Sequence, residues 1–234
     1  MMSELPLMND LPRAELPGSQ TGNPEPLILA SGSPRRAQLL AAAGYEFSVQ
    51  PASDSAECGI CSRETAPEMV ARLAYRKAAD VVARIDDGLV LAADTVASCV
   101  GSILGKPHDR DHAEEMLRLL SGREHDVYTG VCFWSRRDEK FVVDVVRTRL
   151  RMAELSKEQL HEHLESLQWE GKAGAFGYQD GNDWLTVIGN DSESNVVGLP
   201  MERLAELLEN FNQNAEKITT PTTDSIESSD SSCS

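Results

Sequence analysis

The 234-residue chain lacks the long apolar runs of a membrane protein. No stretch approaches the roughly 18 consecutive apolar residues that a transmembrane helix requires. The first residues, MMSELPLMNDLPRAELPG, are acidic and interrupted by proline, and contain neither the basic segment nor the apolar centre of a signal peptide. We therefore expect a cytoplasmic protein with no membrane contact.

Cysteine and positive charge are also scarce. Five cysteines are an odd number, which favours reduced thiols over a disulfide framework. Cys58 and Cys61 form a single CxxC without a second pair, so ordinary loop thiols are a better interpretation than a zinc or redox site. The formal net charge of −16 argues against a nucleic-acid partner, because nucleic-acid binding needs a basic face. A polyanionic ligand would need a local cationic pocket, a metal ion or both.

Composition divides the chain into three parts. Residues 1–26 are rich in proline and glycine, and residues 213–234 are acidic and rich in serine and threonine. Neither segment offers enough apolar surface to offset the entropy lost on folding. We expect two disordered tails, 1–26 and 213–234, around one domain at 27–212.

Within that domain, strand and helix patterns alternate. Apolar runs at 27–30 and 89–93 are typical of buried strands, and Asp94 is expected to terminate the second. Helices are predicted after Ser33 and from Pro67, and a hairpin around Val100-Gly101. This mixture predicts an α/β fold with a mixed central β-sheet flanked by helices.

Two arginines follow the first predicted strand, in the turn SGSPRR. Because a helix N-terminus already carries positive partial charge, Arg35 and Arg36 are unfavourable there unless an anion joins them. Backbone N–H groups, hydroxyls and guanidinium groups together suit phosphate oxygens. A capped helix with exposed arginines is the alternative, and the spacing leaves both open.

Further candidate residues follow along the chain. Asp94 could act as a general base, a metal ligand or a simple cap. Lys77 lies inside the apolar stripe of its predicted helix, where a lysine that extends its amine to solvent is the alternative. Lys106 and Lys172 each follow a glycine. The sequence contains no GxxxxGK[ST], GxGxxG or GxSxG motif, so none of the corresponding sites is predicted.

Seven ordered segments between residues 27 and 204 closely resemble the Maf-type nucleoside triphosphate pyrophosphatases, a family related to the inosine triphosphatases. The segments are LASGSPRR, VARLAYRKA, LAADTV, ILGKP, AEEMLRLLSGREHDVYTGV, GKAGAFGYQ and NVVGLP. The resemblance implies an inosine triphosphatase-like (Maf/Ham1) architecture. It also implies cleavage of a nucleoside triphosphate between the α and β phosphates, which gives a monophosphate and pyrophosphate.

The resemblance also implies roles for individual residues. Asp94 matches the proton acceptor, which acts with a divalent metal, magnesium or manganese. The residues matched to the triphosphate site are Ser31, Arg36, Lys77, Lys106 and Lys172. The acidic DE pair usual in the family is replaced by SDSAECGICS, where Glu57 is a candidate metal ligand beside Asp94.

Three matched positions bear on the base. Arg35, Thr95 and Gln179 resemble the branch that prefers dTTP and UTP, and an amide can both donate to and accept from a pyrimidine edge. We therefore expect a nucleoside triphosphate as the substrate that the protein binds. A homodimer is a further expectation. Two rival hypotheses are a non-catalytic, nucleotide-binding regulator of septum formation and a pyrophosphatase for modified purine nucleotides.

Overall fold

The computed structural model describes residues 11–16, 24–57, 64–181 and 183–216. Cys58 and Cys61, the predicted loop thiols, lie outside the described residues. Cys99 and Cys132 are buried free thiols. No helix in the described ranges is long and apolar enough to cross a bilayer.

One mixed sheet organises the fold, as the sequence predicts. In the order β2-β1-β3-β5-β6-β7, β1 is parallel to β2 and β3, and the remaining neighbours are antiparallel. β4 pairs with the far end of β3. The strands are β1 (Leu27–Leu29), β2 (Phe47–Val49), β3 (Leu89–Cys99), β4 (Ser102–Leu104), β5 (Glu124–Ser135), β6 (Lys140–Met152) and β7 (Leu185–Val187).

Helices cover both faces of this sheet. They are α1 (Pro34–Ala42), α2 (Ala66–Val82), α3 (Arg110–Leu120), α4 (Lys157–Glu165), α5 (Glu193–Val197) and α6 (Met201–Glu216). Because successive strand residues point to opposite faces, Leu91 packs against α1 and α6, whereas the neighbouring Val90 packs against α2. α3 and α4 pack on a second core region, which lies at the start of β5 and the end of β6.

Helix boundaries follow local signals. α1 begins after Ser33 with Pro34 in its first turn, and Gly44, at φ 77°, follows its end. α2 begins with a capping box between Thr65 and Glu68. The five-residue α5 was not predicted, because its length is below that at which helical periodicity can be recognised.

The expectation that Asp94 terminates its strand is wrong. β3 continues to Cys99 because β5 pairs with it as far as Ser98. On the other side of β3, pairing with β1 ends at Leu91 and pairing with β4 begins at Ala97. Between these two stretches, β3 pairs with no strand of the described residues on that side. We refer to this stretch as the gap in the sheet, and the apolar run stops at Asp94 because the strand is open there.

The N-terminal boundary at residue 27 also differs in the structure. Leu11, Ala14 and Leu16 pack on the main core, and the Ala14 N–H donates to the Tyr45 hydroxyl at 2.9 Å. Glu25 is buried, and its Oε1 accepts from the Ser135 hydroxyl at 2.9 Å. Residues 11–16 and 24–26 therefore form part of the folded domain, and at the other end α6 runs to Glu216.

The predicted hairpin at Val100-Gly101 is confirmed, and its turn carries a conformational penalty. Both turn residues have positive φ, 50° for Val100 and 78° for Gly101, as a type I′ turn requires. A β-branched residue is unfavourable there, and the Val100 side chain is 77% exposed. We expect Val100→Asn to raise the free energy of unfolding by about 1 kcal/mol, measured by urea denaturation.

A matched control separates this turn effect from a general gain in surface polarity. Val49 is also exposed, at 52%, but lies in β2. We expect Val49→Asn to leave stability unchanged or lower it. Equal stabilisation by the two substitutions would contradict the turn explanation.

Candidate active site

A cleft of about 620 Å³ opens at the gap in the sheet beyond the end of β1. This is the edge at which α/β folds place ligands, next to the carboxyl ends of parallel strands. Ten residues singled out in the sequence line it together: Ser31, Arg35, Arg36, Glu57, Lys77, Asp94, Thr95, Lys106, Lys172 and Gln179.

Lys77 and Asp94 form an ion pair in the lining of the cleft. Lys77 is 5% exposed on α2, and its Nζ lies 2.6 Å from Asp94 Oδ1 and 2.8 Å from Glu57 Oε1. The alternative of a lysine extending to solvent is therefore wrong. The hydrogen bond from Lys77 lowers the pKa of the Glu57 carboxyl, against a smaller opposing effect of burial. Two carboxylates thus share one buried ammonium group.

Arg36 lies buried in the wall of the cleft rather than exposed on its helix. Its Nη1 donates to Ser31 Oγ at 3.0 Å, its Nη2 to Thr95 Oγ1 at 3.0 Å, and its Nε to the Gly198 carbonyl at 2.9 Å. Burial lowers the pKa of the Arg36 guanidinium, and the nearby charge of Asp94 opposes this. These three neutral acceptors fix a positive charge in the wall of the cleft.

The Thr95 hydroxyl belongs to a chain of hydrogen bonds behind Arg36. Thr95 Oγ1 lies 2.9 Å from Thr129 Oγ1, and Thr129 Oγ1 lies 3.1 Å from the Asn195 carbonyl oxygen. Asn195 is fully buried, and its Nδ2 donates to Thr148 Oγ1 at 3.0 Å. These contacts join α5 to the middle strands and hold Thr95 in place. The role of Thr95 in base preference stays a prediction.

Arg35 projects from the first turn of α1 toward the segment 170–180, the opposite wall of the cleft. Its Nη2 donates to the Gly171 carbonyl at 3.3 Å. Burial lowers the pKa of the Arg35 guanidinium, and the charge of Asp180 opposes this. The hydrogen bond from Arg35 therefore links α1 to the opposite wall of the cleft.

The segment 170–180 carries Lys172 and Gln179. Lys172 forms an ion pair with Asp180, and the Gly174 N–H donates to the Gly105 carbonyl at 3.0 Å, next to Lys106. Gln179 Nε2 is buried and has no hydrogen-bond partner among the described residues. Because Gln179 lines the cleft, a small rearrangement of its side chain would let a ligand satisfy this unpaired donor.

Two buried histidines, His125 of β5 and His163 of α4, contact this segment. The turn is strained, because Ala175 has a φ of 64°, and His163 Nε2 lies 2.9 Å from the Ala175 carbonyl oxygen. The His125 ring packs edge-on against Phe176, with 5.3 Å between ring centres. Burial lowers the pKa of His125 to about 4, so this ring is neutral at pH 7.

Several lining residues were not identified from the sequence. Asp54, Glu170 and Asp180 bring the lining to five carboxylates against five cations. Tyr178 also lines the cleft, and burial together with a hydrogen bond to Glu193 raises the pKa of its hydroxyl to about 12. Tyr178 and Asp180 could have been predicted as lining residues, because they are the sequence neighbours of Gln179.

The donor set of the cleft fits a magnesium-like ion. In the described part of the chain, no group of three or more His, Cys, Asp or Glu side chains is arranged to hold a metal. Mg²⁺, however, usually binds through one or two carboxylates and completes its shell with water and substrate phosphates. Asp94 and Glu57, held on one ammonium group, supply such a pair.

Comparisons with known proteins converge on one family. A sequence model of one protein family, described as "Maf-like protein", matches residues 26–211 of this chain. A dTTP/UTP pyrophosphatase of Rhodopirellula baltica is 90% identical over 227 residues, which cover 97% of this chain and 100% of that protein. The corresponding enzyme of Geotalea uraniireducens is 40% identical over 182 residues, or 78% of this chain and 93% of that protein.

One solved structure aligns with the chain more loosely. It is a nucleoside-triphosphatase / dITP/XTP pyrophosphatase from Mycobacterium abscessus, with a TM-score of 0.38 and 11% sequence identity. The alignment covers 82% of this chain and 98% of that one.

Proposed function

Because this chain belongs to the Maf family, we propose that it is a nucleoside triphosphate pyrophosphatase with a preference for dTTP and UTP. The reaction adds water across the bond between the α and β phosphates and yields a nucleoside monophosphate and pyrophosphate. Such an enzyme would remove nucleotides from the cytoplasmic pool. The observation that carries the proposal is the contact between Asp94 and Lys77 inside a cleft lined by five cationic side chains.

Asp94 is the group proposed to accept the proton from the attacking water. Its side chain is 15% exposed, so it is shielded yet reachable from the cleft. Lys77 fixes one carboxylate oxygen, Oδ1, at 2.6 Å. A base held in one orientation needs no rearrangement as the water attacks.

The cations provide the counter-charge for the triphosphate. Arg35, Lys106 and Lys172 line the walls, and Arg36 adds a fixed positive charge behind the hydroxyls of Ser31 and Thr95. Phosphoryl chemistry depends on positioned positive charges around the phosphate oxygens. The five carboxylates of the lining balance the five cations, so the cleft is locally far less negative than the chain with its net charge of −16, and a bound divalent ion would make it positive.

Asp94 and Glu57 are the residues proposed to hold a divalent cation, magnesium or manganese. Bound there, such an ion would supply positive charge that stabilises the negative charge on the phosphate groups. Lys77 keeps the two carboxylates side by side.

A substrate panel tests the proposed activity. We expect pyrophosphate release from dTTP and UTP with kcat/KM at least about tenfold above that for GTP, ITP and 7-methyl-GTP, because a pocket that satisfies a pyrimidine edge leaves polar groups unpaired against other bases. A purine triphosphate ranked above both pyrimidines would contradict the base assignment while leaving the reaction class intact.

A substitution at Gln179 tests the residue proposed to read the base. A carboxylate cannot donate to a base carbonyl, so Gln179→Glu should lower kcat/KM for UTP by about ten- to a hundredfold. Gln159→Glu is the matched control, since Gln159 lies in the α4 capping box, where glutamate serves equally well. Equal effects of the two variants on UTP turnover would remove Gln179 from base recognition.

A further inference from the structure

The ion pair between Lys172 and Asp180 is a second charged contact inside the cleft. The two side chains expose 12% and 15% of their surfaces. Lys172 precedes the turn Ala173–Ala175, and Asp180 ends the turn Tyr178–Asp180, so a short loop brings them together. The Asp180 N–H also donates to the Gly177 carbonyl at 3.3 Å, which closes the turn that carries the carboxylate.

Gly177 leaves the space in which this pair forms. Its φ of −130° is extended backbone that any residue can adopt. A Cβ at this position, however, would lie 2.2 Å from Asp180 Oδ2 and 2.6 Å from Lys172 Nζ. The ion pair itself, rather than the backbone, therefore excludes a side chain at position 177.

Both largely buried lysines of the cleft are thus paired with carboxylates before a ligand enters. Lys77 contacts Asp94 and Glu57, and Lys172 contacts Asp180. A phosphate that binds Lys172 must displace Asp180 or share the ammonium group with it, as Asp94 and Glu57 share that of Lys77. In either case the Asp180 carboxylate lies next to a new negative charge in a shielded site, and if displaced it also loses its partner. Asp180 therefore weakens the binding of every anion at Lys172.

We propose that Asp180 is a specificity-determining residue that keeps short phosphate anions off Lys172. The identity of the anion rests on the function proposed above. A triphosphate can offset this repulsion through its further contacts with the remaining cations of the cleft. Pyrophosphate makes fewer such contacts, so the same carboxylate favours its departure after the reaction.

The test measures binding of inorganic pyrophosphate to the full-length protein by calorimetry, without nucleotide. Asp180→Asn should bind pyrophosphate at least about tenfold more tightly than the wild type, because the partly buried ammonium group has lost its competing partner. Asp87→Asn is the matched control for net charge, since Asp87 pairs with Arg137 on the surface. We expect its affinity to stay within about twofold of wild type.

A double variant tests whether the effect runs through Lys172. In a Lys172→Gln background, adding Asp180→Asn should give clearly less of the gain seen in the wild-type background, because only the effect of Asp180 on the other cations, such as Arg35, remains. An Asp180→Asn protein that binds pyrophosphate as weakly as the wild type, or more weakly, would overturn the proposal. So would an equal gain in both backgrounds.

A second route is open if Asp180→Asn does not fold. Gly177→Ala separates the ion pair by steric contact while keeping both charges, and should tighten pyrophosphate binding by about threefold or more. Unchanged or weaker binding would again count against Asp180. Because calorimetry needs no turnover, an enzyme that binds pyrophosphate as expected but cleaves no nucleotide contradicts the proposed function and leaves this inference standing.

Discussion

Replacing Asp94 with asparagine is expected to lower kcat by about a hundred- to ten-thousandfold, the contribution of a well-placed general base. The fold should survive, because asparagine is nearly isosteric and its side-chain oxygen can still accept from Lys77. Lys77 also keeps Glu57 as a charged partner at 2.8 Å. The measurement is pyrophosphate release under saturating dTTP, with the melting temperature recorded in parallel.

Asp87→Asn serves again as the control, because it removes the same charge from an ion pair outside the cleft. Its turnover should equal that of the wild type. Turnover of Asp94→Asn within about tenfold of wild type, a barrier change of roughly 1.4 kcal/mol, would exclude Asp94 as the base. A large fall in melting temperature would instead show that Asp94 acts mainly through the ion pair.

The largest loss of stability is expected from Gly130→Ala. Gly130 lies opposite Asp94 in the β3–β5 ladder, where α2 crosses the sheet closely. A Cβ at this position would lie 2.3 Å from the Val70 carbonyl oxygen and 2.8 Å from the Ala71 nitrogen. These are backbone atoms of α2, so the whole helix must move. We expect a loss of about 3 kcal/mol or more in the free energy of unfolding, by analogy with overpacked cores.

The same displacement should lower activity, because α2 carries Lys77. Gly105→Ala is the control, since its added Cβ would meet no atom within 4 Å, and its free energy of unfolding should change by less than about 1 kcal/mol. The measurement is urea denaturation of both variants. A Gly130→Ala protein as stable as the control would mean that α2 adjusts freely on the sheet.

Much of the architecture could be predicted because its signals are local. The bounds of α1 follow from Ser33, Pro34 and Gly44, and the hairpin at Val100-Gly101 follows from its turn residues. The extent of β3 could not be predicted in this way. The end of an apolar run shows where side chains stop packing in the core, not where the strand ends. At Asp94 the side chains begin to face the cleft, while the backbone pairing with β5 continues to Ser98.

The site shows the same division between local and distant information. The resemblance brought out ten residues, and all ten line one cleft. Their partners were not predicted, because they come from remote parts of the chain. The Gly198 carbonyl oxygen that accepts from Arg36 lies 162 residues away in sequence. The packing of Ala14 on the core was missed for a related reason, since a few apolar residues among prolines give no periodic signal.

The hydrogen bonds of Arg36 have a consequence for how the protein folds during synthesis. The guanidinium group leaves the ribosome early in the chain, whereas its acceptor on Gly198 is among the last parts of the domain to be made. Until then, a nascent chain could carry both Lys77 and Asp94 but could not complete the wall that contains Arg36. Contacts of such long sequence separation form late and slow folding. A truncated or stalled chain would therefore lack part of the cleft wall. We expect it to hydrolyse nucleotides only once the domain is nearly complete.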